Sequence, residues 1–407
     1  MSLTIGSVSA LHALRAVRCG DLACDLAKRC NMIAPSPHPQ RRWSKGQFSA
    51  QLSSVGLSEL LARNRRVNVI VPTRDQRVQS RGVENSVYSC PLPENSFIEL
   101  GNGIAMSCPE LLFIELGNVM EPAIHLLAGM ELCGCFSRSA QNPRTGDAVY
   151  GIEPVTSVSR IREYAERAKS VRGSSRAIEA IELIEGQAWS PMEALIAALA
   201  ILPMDKLGLD LGRVRLNPRK ELGERLSRLS SAASRVPDIM FTGTNVGINY
   251  DGEDHFRLDG IARAAVALDR EPGNADRAQE LADAFAEARG RIVSDKRRDR
   301  DLMSLGLTVF PVAKEDLLEP GGFDRVMGQV VAAIERSEHR DLTAQRMALA
   351  DGRLADARYA LMRSLMPGGS SKGVAASMSD LHMGFDDAIV SFGMDDDGRM
   401  TISTIRD

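Results

Sequence analysis

Aromatic side chains are scarce in this chain, with two Trp, five Tyr and eleven Phe among 407 residues. A protein that grips single-stranded nucleic acid by stacking bases on aromatic platforms is therefore a poor fit. No apolar run approaches the about 18 residues that a membrane-spanning helix needs. Arg15 and Arg18 interrupt the first apolar stretch, which argues against a cleavable signal peptide. The seven cysteines, at 19, 24, 30, 90, 108, 133 and 135, include no Cys-x-x-Cys spacing. That pattern reads as reduced thiols in a cytoplasmic protein, and Cys133-x-Cys135 as buried packing before a metal clasp. No phosphate-cradling P-loop is present, and Gly101-x-Gly103 lacks the third glycine and the βαβ setting of a dinucleotide site. A net charge of only −3 leaves any nucleic-acid affinity to a local patch.

What is present is ample apolar material, 44% of the residues, in a chain long enough for two domains or for one with extensions. In the N-terminal half, residues 1–30 read as helical, 36–42 (SPHPQRR) as a linker, 53–63 as a helix and 67–71 (VNVIV) as a strand. FIEL at 97–100 and GIAM at 103–106 flank Gly101-Asn102, which predicts a hairpin. Ser107 and Glu110 around Pro109 predict a capping box that opens a helix through Leu116. Further helices are expected at 122–132, 158–170 and 174–184. Near the C-terminus, a helix at 342–365 leads through PGGSSKG (367–373) to a hairpin in which AIVSFGM and RMTISTI flank Asp395-Asp396-Asp397-Gly398. That turn lacks the ligand alternation of a calcium loop and reads as a solvated turn.

The chemistry-bearing stretch is VPDIMFTGTNVGINYDGEDH at 236–255. It puts Asp238 on one apolar strand and Asn249 and Asp251, two apart and hence on one face of the pleat, on the next. Converging, these three side chains form an oxygen-donor set suited to Mg²⁺; taken singly, Asp238 starts a strand and Asp251-Gly252 ends one in a turn. His255 is either a general acid or base near neutral pH or a solvated loop histidine beside Glu253 and Asp254. Around the hairpin the expected order is a helix at 190–201, a strand at about 212–216, the two hairpin strands, a helix ending near Gly306 and a strand at 307–312. Ser190, Pro191 and Glu193 take the cap, first and third positions of the first helix, a capping box that gives Glu193 a structural role of its own. Residues 256–292 read as two helices broken at EPGN (271–274), an insertion suited to flanking a substrate groove or to self-association.

Two groups of cations accompany the hairpin. Seven basic residues, Arg213, Arg215, Arg219, Lys220, Arg225, Arg228 and Arg235, stand against Glu221 and Glu224 just before it. Lys296, Arg298 and Arg300 open the last core helix. Each group is either a phosphate-binding surface or a wet helix face, and Asp295, Asp299 and Asp301 at i, i+3 spacing supply partners for the second.

SPMEALIAAL (190–199), PDIMF (237–241), NYDGEDH (249–255) and DKRRDRDLMSLGLTVFPV (295–312) together resemble the PD-(D/E)xK nuclease superfamily, most nearly its very-short-patch-repair endonuclease branch. The resemblance spans roughly residues 185–335 and implies a restriction-endonuclease-like αβββαβ core. It implies Mg²⁺-dependent hydrolysis of a DNA phosphodiester, the metal polarising the phosphoryl oxygen and activating water. Asp238 would be the first-strand acid, Glu193 the acid brought by the first helix, and Asp251 would stand where the wider superfamily has its lysine. The second-strand acid falls on Asn249, an amide that can ligate but carries no charge. More loosely, the small mixed sheet, apolar helices and ELCGCFSR turn ahead of this core resemble proteins related to the AbiE abortive-infection antitoxin, which implies a regulatory role in defence against mobile DNA.

These readings give an α/β protein with an N-terminal α+β region at 1–184, a nuclease-like domain at 185–335 with its helical insertion at 256–292, and a C-terminal helix and hairpin at 336–407. The leading expectation is a metal-dependent endodeoxyribonuclease using Asp238, Asp251 and Asn249 as Mg²⁺ ligands, Glu193 and His255 assisting, and Lys296, Arg298, Arg219 and Lys220 on phosphates. The alternative is a nuclease fold that has lost catalysis and acts as a DNA-binding regulator or antitoxin. A third reading makes the core a scaffold for protein contacts, with a second copy or a partner protein docking through 256–292. DNA is the expected partner, a membrane is not, and the expected location is cytoplasmic.

Overall fold

The computed structural model describes residues 2–32, 44–58, 60, 66–80, 82–144, 147–230, 232–252, 258–271, 273–366, 389–394 and 400–405. The chain is a mixed α/β protein in two compact units, residues 1–202 with 361–407, and residues 203–360.

The first unit is built on a six-stranded sheet of order β2-β5-β6-β1-β3-β4. Its strands are β1 (Leu3–Ile5), β2 (Arg29–Cys30), β3 (Val67–Val71), β4 (Val83–Val87), β5 (Phe97–Gly101) and β6 (Ile104–Ser107). β5 and β6 form the expected hairpin across Gly101-Asn102, with a bulge between Glu99 and Gly101. The helix expected over 1–30 is corrected. Only α1 (Ser7–Arg18) forms there, because Leu3–Ile5 is a fully buried central strand, parallel to β6 and antiparallel to β3. Those partners lie about sixty and a hundred residues away, so no local pattern announces the strand.

Between β2 and β3 lies α2 (Lys45–Ser53), and after β6 come α3 (Pro109–Leu116), α4 (Pro122–Leu132), α5 (Val158–Arg167), α6 (Ser174–Ile181) and α7 (Pro191–Ile201). Two short strands, β7 (Phe136–Ser137) and β8 (Val149–Tyr150), pair antiparallel between α4 and α5. The capping box expected at Ser107 does not form. Cys108 is the cap residue and makes no side-chain cap bond, while Ser107 ends β6 and its hydroxyl donates to Glu115 Oε1 at 2.9 Å.

Every residue of α3 is buried, two carboxylates included, so each acid needs internal partners. Glu110 accepts from Arg29 at 3.0 Å and from Thr156 at 2.7 Å. Glu115 faces no cation among its hydrogen-bond partners and accepts instead from the Ser7 amide at 2.7 Å, Ser107 and the Tyr88 hydroxyl at 3.1 Å. Burial outweighs those three donors and pushes its carboxyl up to about 7. Between the ordinary value of 4.5 and about 7, the unfolded chain has shed this proton while the native state still holds it. Its contribution to stability therefore falls with rising pH across that window and levels above it, while buried His125, its imidazole pushed down to about 4, contributes in the opposite direction. Glu115→Gln is expected to remove the fall and so raise the stability at pH 7.5 relative to pH 5, checked by urea midpoints at the two values; an unchanged difference would remove Glu115 as a source.

The second unit holds a four-stranded sheet of order β14-β13-β12-β9. Here β9 (Val214–Leu216), β12 (Ile239–Phe241) and β13 (Val246–Asp251) run as an antiparallel meander, and β14 (Thr308–Ala313) returns parallel to β13. A small antiparallel pair, β10 (Lys220–Glu221) with β11 (Ser234–Arg235), flanks α8 (Gly223–Ser227). Gly247 is forced by the hairpin, since a Cβ there would stand 2.4 Å from Met240 Sδ and 2.6 Å from the Ile239 carbonyl.

The crossover from β13 to β14 is a helical hairpin of α9 (Leu258–Arg270) and α10 (Ala275–Ser304), broken at 271–274 as expected. A separate core helix opening at Lys296 is corrected: α10 is one helix of 30 residues, and Lys296 lies in its last third. In the chain α11 (Lys314–Leu318), α12 (Gly322–Glu338), α13 (Thr343–Ala350) and α14 (Gly352–Leu365) follow, with α12 packed on β13 and β14. Arg358, 1% exposed, pairs with buried Asp324 and donates to the Ala348 carbonyl at 2.7 Å, tying α12, α13 and α14 together. Strands β15 (Ile389–Met394) and β16 (Met400–Ile405) pair antiparallel as the sequence predicts; the acidic turn between them lies outside the described residues. Among the described residues, no helix is long and apolar enough to cross a membrane.

Candidate functional site

The β12–β13 register sets Ile239 opposite Ile248, which brings Asp238 and Asn249 across from one another at the open end of the ladder. Their side chains stand in for backbone partners there. Asn249, 1% exposed, accepts the Asp238 amide on its Oδ1 at 3.1 Å, and Asp238 accepts the Tyr250 amide on its Oδ2 at 2.6 Å. On the other side the Asp238 carbonyl accepts from the Asn217 amide at 2.8 Å, in line with the β9 pairing. The three oxygen-bearing residues singled out in the sequence thus share one end of the sheet. Two of them are already engaged in closing it.

Asp251, the last residue of β13, meets a cation instead. Arg298 of α10 donates from one terminal nitrogen to its Oδ1 at 3.1 Å, with both side chains less than a fifth exposed. The same guanidinium lies 3.9 Å from both Asp295 and Asp299. Burial pushes the Asp299 carboxyl above its ordinary value, Asp251 and Asp295 add to the rise, and Arg298 opposes it. One guanidinium thus sits among three carboxylates at the end of the central strand, where the charge of a bound metal would compete with it. Among the described residues, no three His, Cys, Asp or Glu side chains gather so as to hold a metal ion.

Glu193 belongs to the first unit, whereas Asp238, Asn249 and Asp251 belong to the second. Its amide donates to Ser190 Oγ at 3.1 Å, and its carboxylate accepts from the Trp189 amide at 3.0 Å. The expected capping arrangement is present with one change: the glutamate reaches one residue further back than the cap. The helix it starts, α7, is buried along all eleven residues and packs on α4. His255 lies outside the described residues.

The cations separate into two kinds. Arg235 is bound at 2.6 Å to Asp301 of α10, both largely buried, and serves as a fastener between β11 and that helix. Arg219 with Glu221, and Arg228 with Glu224, are exposed pairs, worth little in water and readily exchanged for a phosphate. Arg213, Arg215 and Arg225 are exposed and Lys220 is half-buried. On α10, Lys296 and Arg300 are exposed, the latter donating to the Lys296 carbonyl at 3.3 Å, while Arg298 is committed to Asp251.

No family model, curated protein or solved structure matches the chain. The geometry alone therefore carries the functional argument. Sequence spacing singled out the acids at the end of the sheet but missed their neutraliser, since Arg298 is 47 residues from Asp251 and has acids at i−3 and i+3 that explain it locally. The available signal was the surplus of carboxylates on that turn of α10 beside a strand ending in aspartate.

Proposed function

We propose that residues 203–360 form a restriction-endonuclease-like domain whose hydrolytic site has been replaced by internal pairing, and that the protein binds DNA as a regulator without cutting it. The strand order and directions support the first half: a three-strand meander and a fourth strand returning parallel after a helical crossover are what the βββαβ part of the resemblance implies, while its first helix, α7, belongs to the first unit. The observation that carries the second half is the Asp251–Arg298 ion pair. With Asn249 neutral and turned to the Asp238 amide, and Asp251 held by a guanidinium, residues 249 and 251 offer Mg²⁺ no free carboxylate beside Asp238. The looser likeness of the first unit to antitoxin-type regulators fits a role in defence against mobile DNA and is an analogy of layout.

DNA is the partner because the exposed cations of residues 213–228 lie on and beside β9, on the same sheet as the degenerate site. If they meet phosphates, affinity for a duplex should fall steeply as salt rises, by about 0.9 in log–log slope for each phosphate contact. Replacing Arg219 and Lys220 by alanine together is expected to flatten that slope by roughly one to two units. Fluorescence anisotropy with a labelled duplex across a salt series measures it. Binding that ignores salt, or no binding at any salt, would overturn the DNA reading and leave the protein-scaffold reading in its place.

A further inference from the structure

We infer that the outer face of α10 is a self-association surface on which a second copy of the chain docks its own α10 antiparallel. The inference does not depend on the DNA reading. It starts from the helix itself, 30 residues and hence about 45 Å long. Residues 277, 281, 284, 288, 291, 295, 298 and 302, alternating by three and four, are less exposed, joined near the C-terminal end by 299 and 301, and this face meets α9 and the sheet. The opposite face holds Ala282, Phe285, Ala286, Gly290 and Val293 in solvent. Phe285 is 54% exposed and Val293 40%, while Ile292 at its margin is 46% exposed. A solvated crossover helix has no need of that stripe.

Two features select a second copy, antiparallel, as the occupant. The first is charge order. At its exposed positions, residues 275–287 carry Asp276, Glu280, Asp283 and Glu287, whereas 288–304 carry Arg289, Lys296, Arg297 and Arg300. Parallel pairing would set like charge beside like charge, and antiparallel pairing sets the acidic half against the basic half. The second is shape. A shallow concavity on this face is lined by Phe285, Ala286, Arg289, Gly290 and Val293, and a Cβ built on Gly290 meets nothing within 4 Å. With the dyad between residues 287 and 288, Ala282 of each copy lies against Val293 of the other, Ala286 lies beside them, and Phe285 closes one flank of the pair.

One helix pair makes a small interface, below about 1,200 Å², so reversible association in the micromolar range is expected. Sedimentation velocity on the full chain, from about 1 to about 200 µM, should show monomer passing to dimer. Phe285→Glu, at an exposed position that leaves the fold intact by circular dichroism, should weaken the dimer tenfold or more. Orientation is read by disulfide trapping, with the unsubstituted chain as the control for native thiols. Ala282→Cys mixed with Val293→Cys should give a covalent dimer. Ala282→Cys alone should not, because its two copies would stand about 16 Å apart along the axis. A chain that stays monomeric throughout, a dimer indifferent to Phe285→Glu, or trapping of Ala282→Cys with itself would each overturn the inference.

Discussion

Glu131→Ala is expected to cost the first unit about 3–5 kcal/mol, because it removes one partner of a buried, hydrogen-bonded ion pair. Glu131 is 2% exposed and binds Arg15 through both carboxylate oxygens, at 2.9 and 2.6 Å, across α1 and α4. It also accepts the Arg138 amide at 3.0 Å, and Arg138 is itself buried, reaching the Leu365 carbonyl at 2.9 Å. Removing the acid takes away the carboxylate that binds Arg15 through both oxygens and offsets the nearby charge of Arg138. Replacing Glu131, Arg15 and Arg138 together by apolar residues of similar volume should recover most of the loss, since a wholly apolar core needs no compensation.

The same group sets an acid limit. Burial would raise the Glu131 carboxyl, but Arg15 first and then Arg138 overcome it and hold it down at about 2. A depressed carboxylate stabilises the native state above its unfolded value, near 4.5, and the contribution is lost as pH falls toward 2. That shift corresponds to about 3 kcal/mol. Urea unfolding followed by circular dichroism should show the native chain losing stability from pH 4.5 downward and Glu131→Ala showing no such loss. An Ala variant as stable as the native chain at pH 7 would sink both statements. Glu115 acts in the opposite direction over the adjoining window, where buried His125, its imidazole pushed down to about 4, opposes it.

How far these features were legible depends on the distance between partners. Ser190-Pro191 opens α7, Gly101-Asn102 turns β5 into β6, and residues 271–274 break α9 from α10, all through local backbone preferences that a sequence displays directly. The β12–β13 hairpin was legible in the same way, with Gly243 at positive φ in its turn. The β1 strand was not, because three apolar residues before an apolar helix have no period of their own until β3 and β6 pair with them. Nor was the loss of the Ser107 cap, since that hydroxyl is drawn to Glu115 by the burial of α3. Within the candidate site, the oxygen-bearing residues could be picked out by alternation along a strand. Arg298 was singled out for phosphate, but its pairing with Asp251 was not legible, because strand and helix contribute one member each and only the tertiary fold brings them within 3.1 Å.

Restoring the missing charge is expected to turn the end of the sheet into a metal site. Asn249→Asp places a carboxylate at a 1% exposed position opposite Asp238, where it can still accept the Asp238 amide but now repels its neighbour. In EDTA this variant should be about 1–3 kcal/mol less stable than the native chain. Mg²⁺ at about a hundred times its Kd should stabilise the variant by about 2.7 kcal/mol, as any ligand of the folded state does. Adding Arg298→Ala releases Asp251 from its guanidinium and should tighten Mg²⁺ further, because three carboxylates then face one ion. Cleavage of plasmid DNA is expected only in these two variants, and Asp238→Ala in either background should abolish both binding and cleavage. Calorimetric Mg²⁺ titration and a nicking assay read the two outcomes separately. Native protein that cuts plasmid with Mg²⁺, and stops on Asp238→Ala, would overturn the regulator reading in favour of the hydrolase. If neither carboxylate variant gains affinity for Mg²⁺, residues 238, 249 and 251 close the sheet and do nothing more.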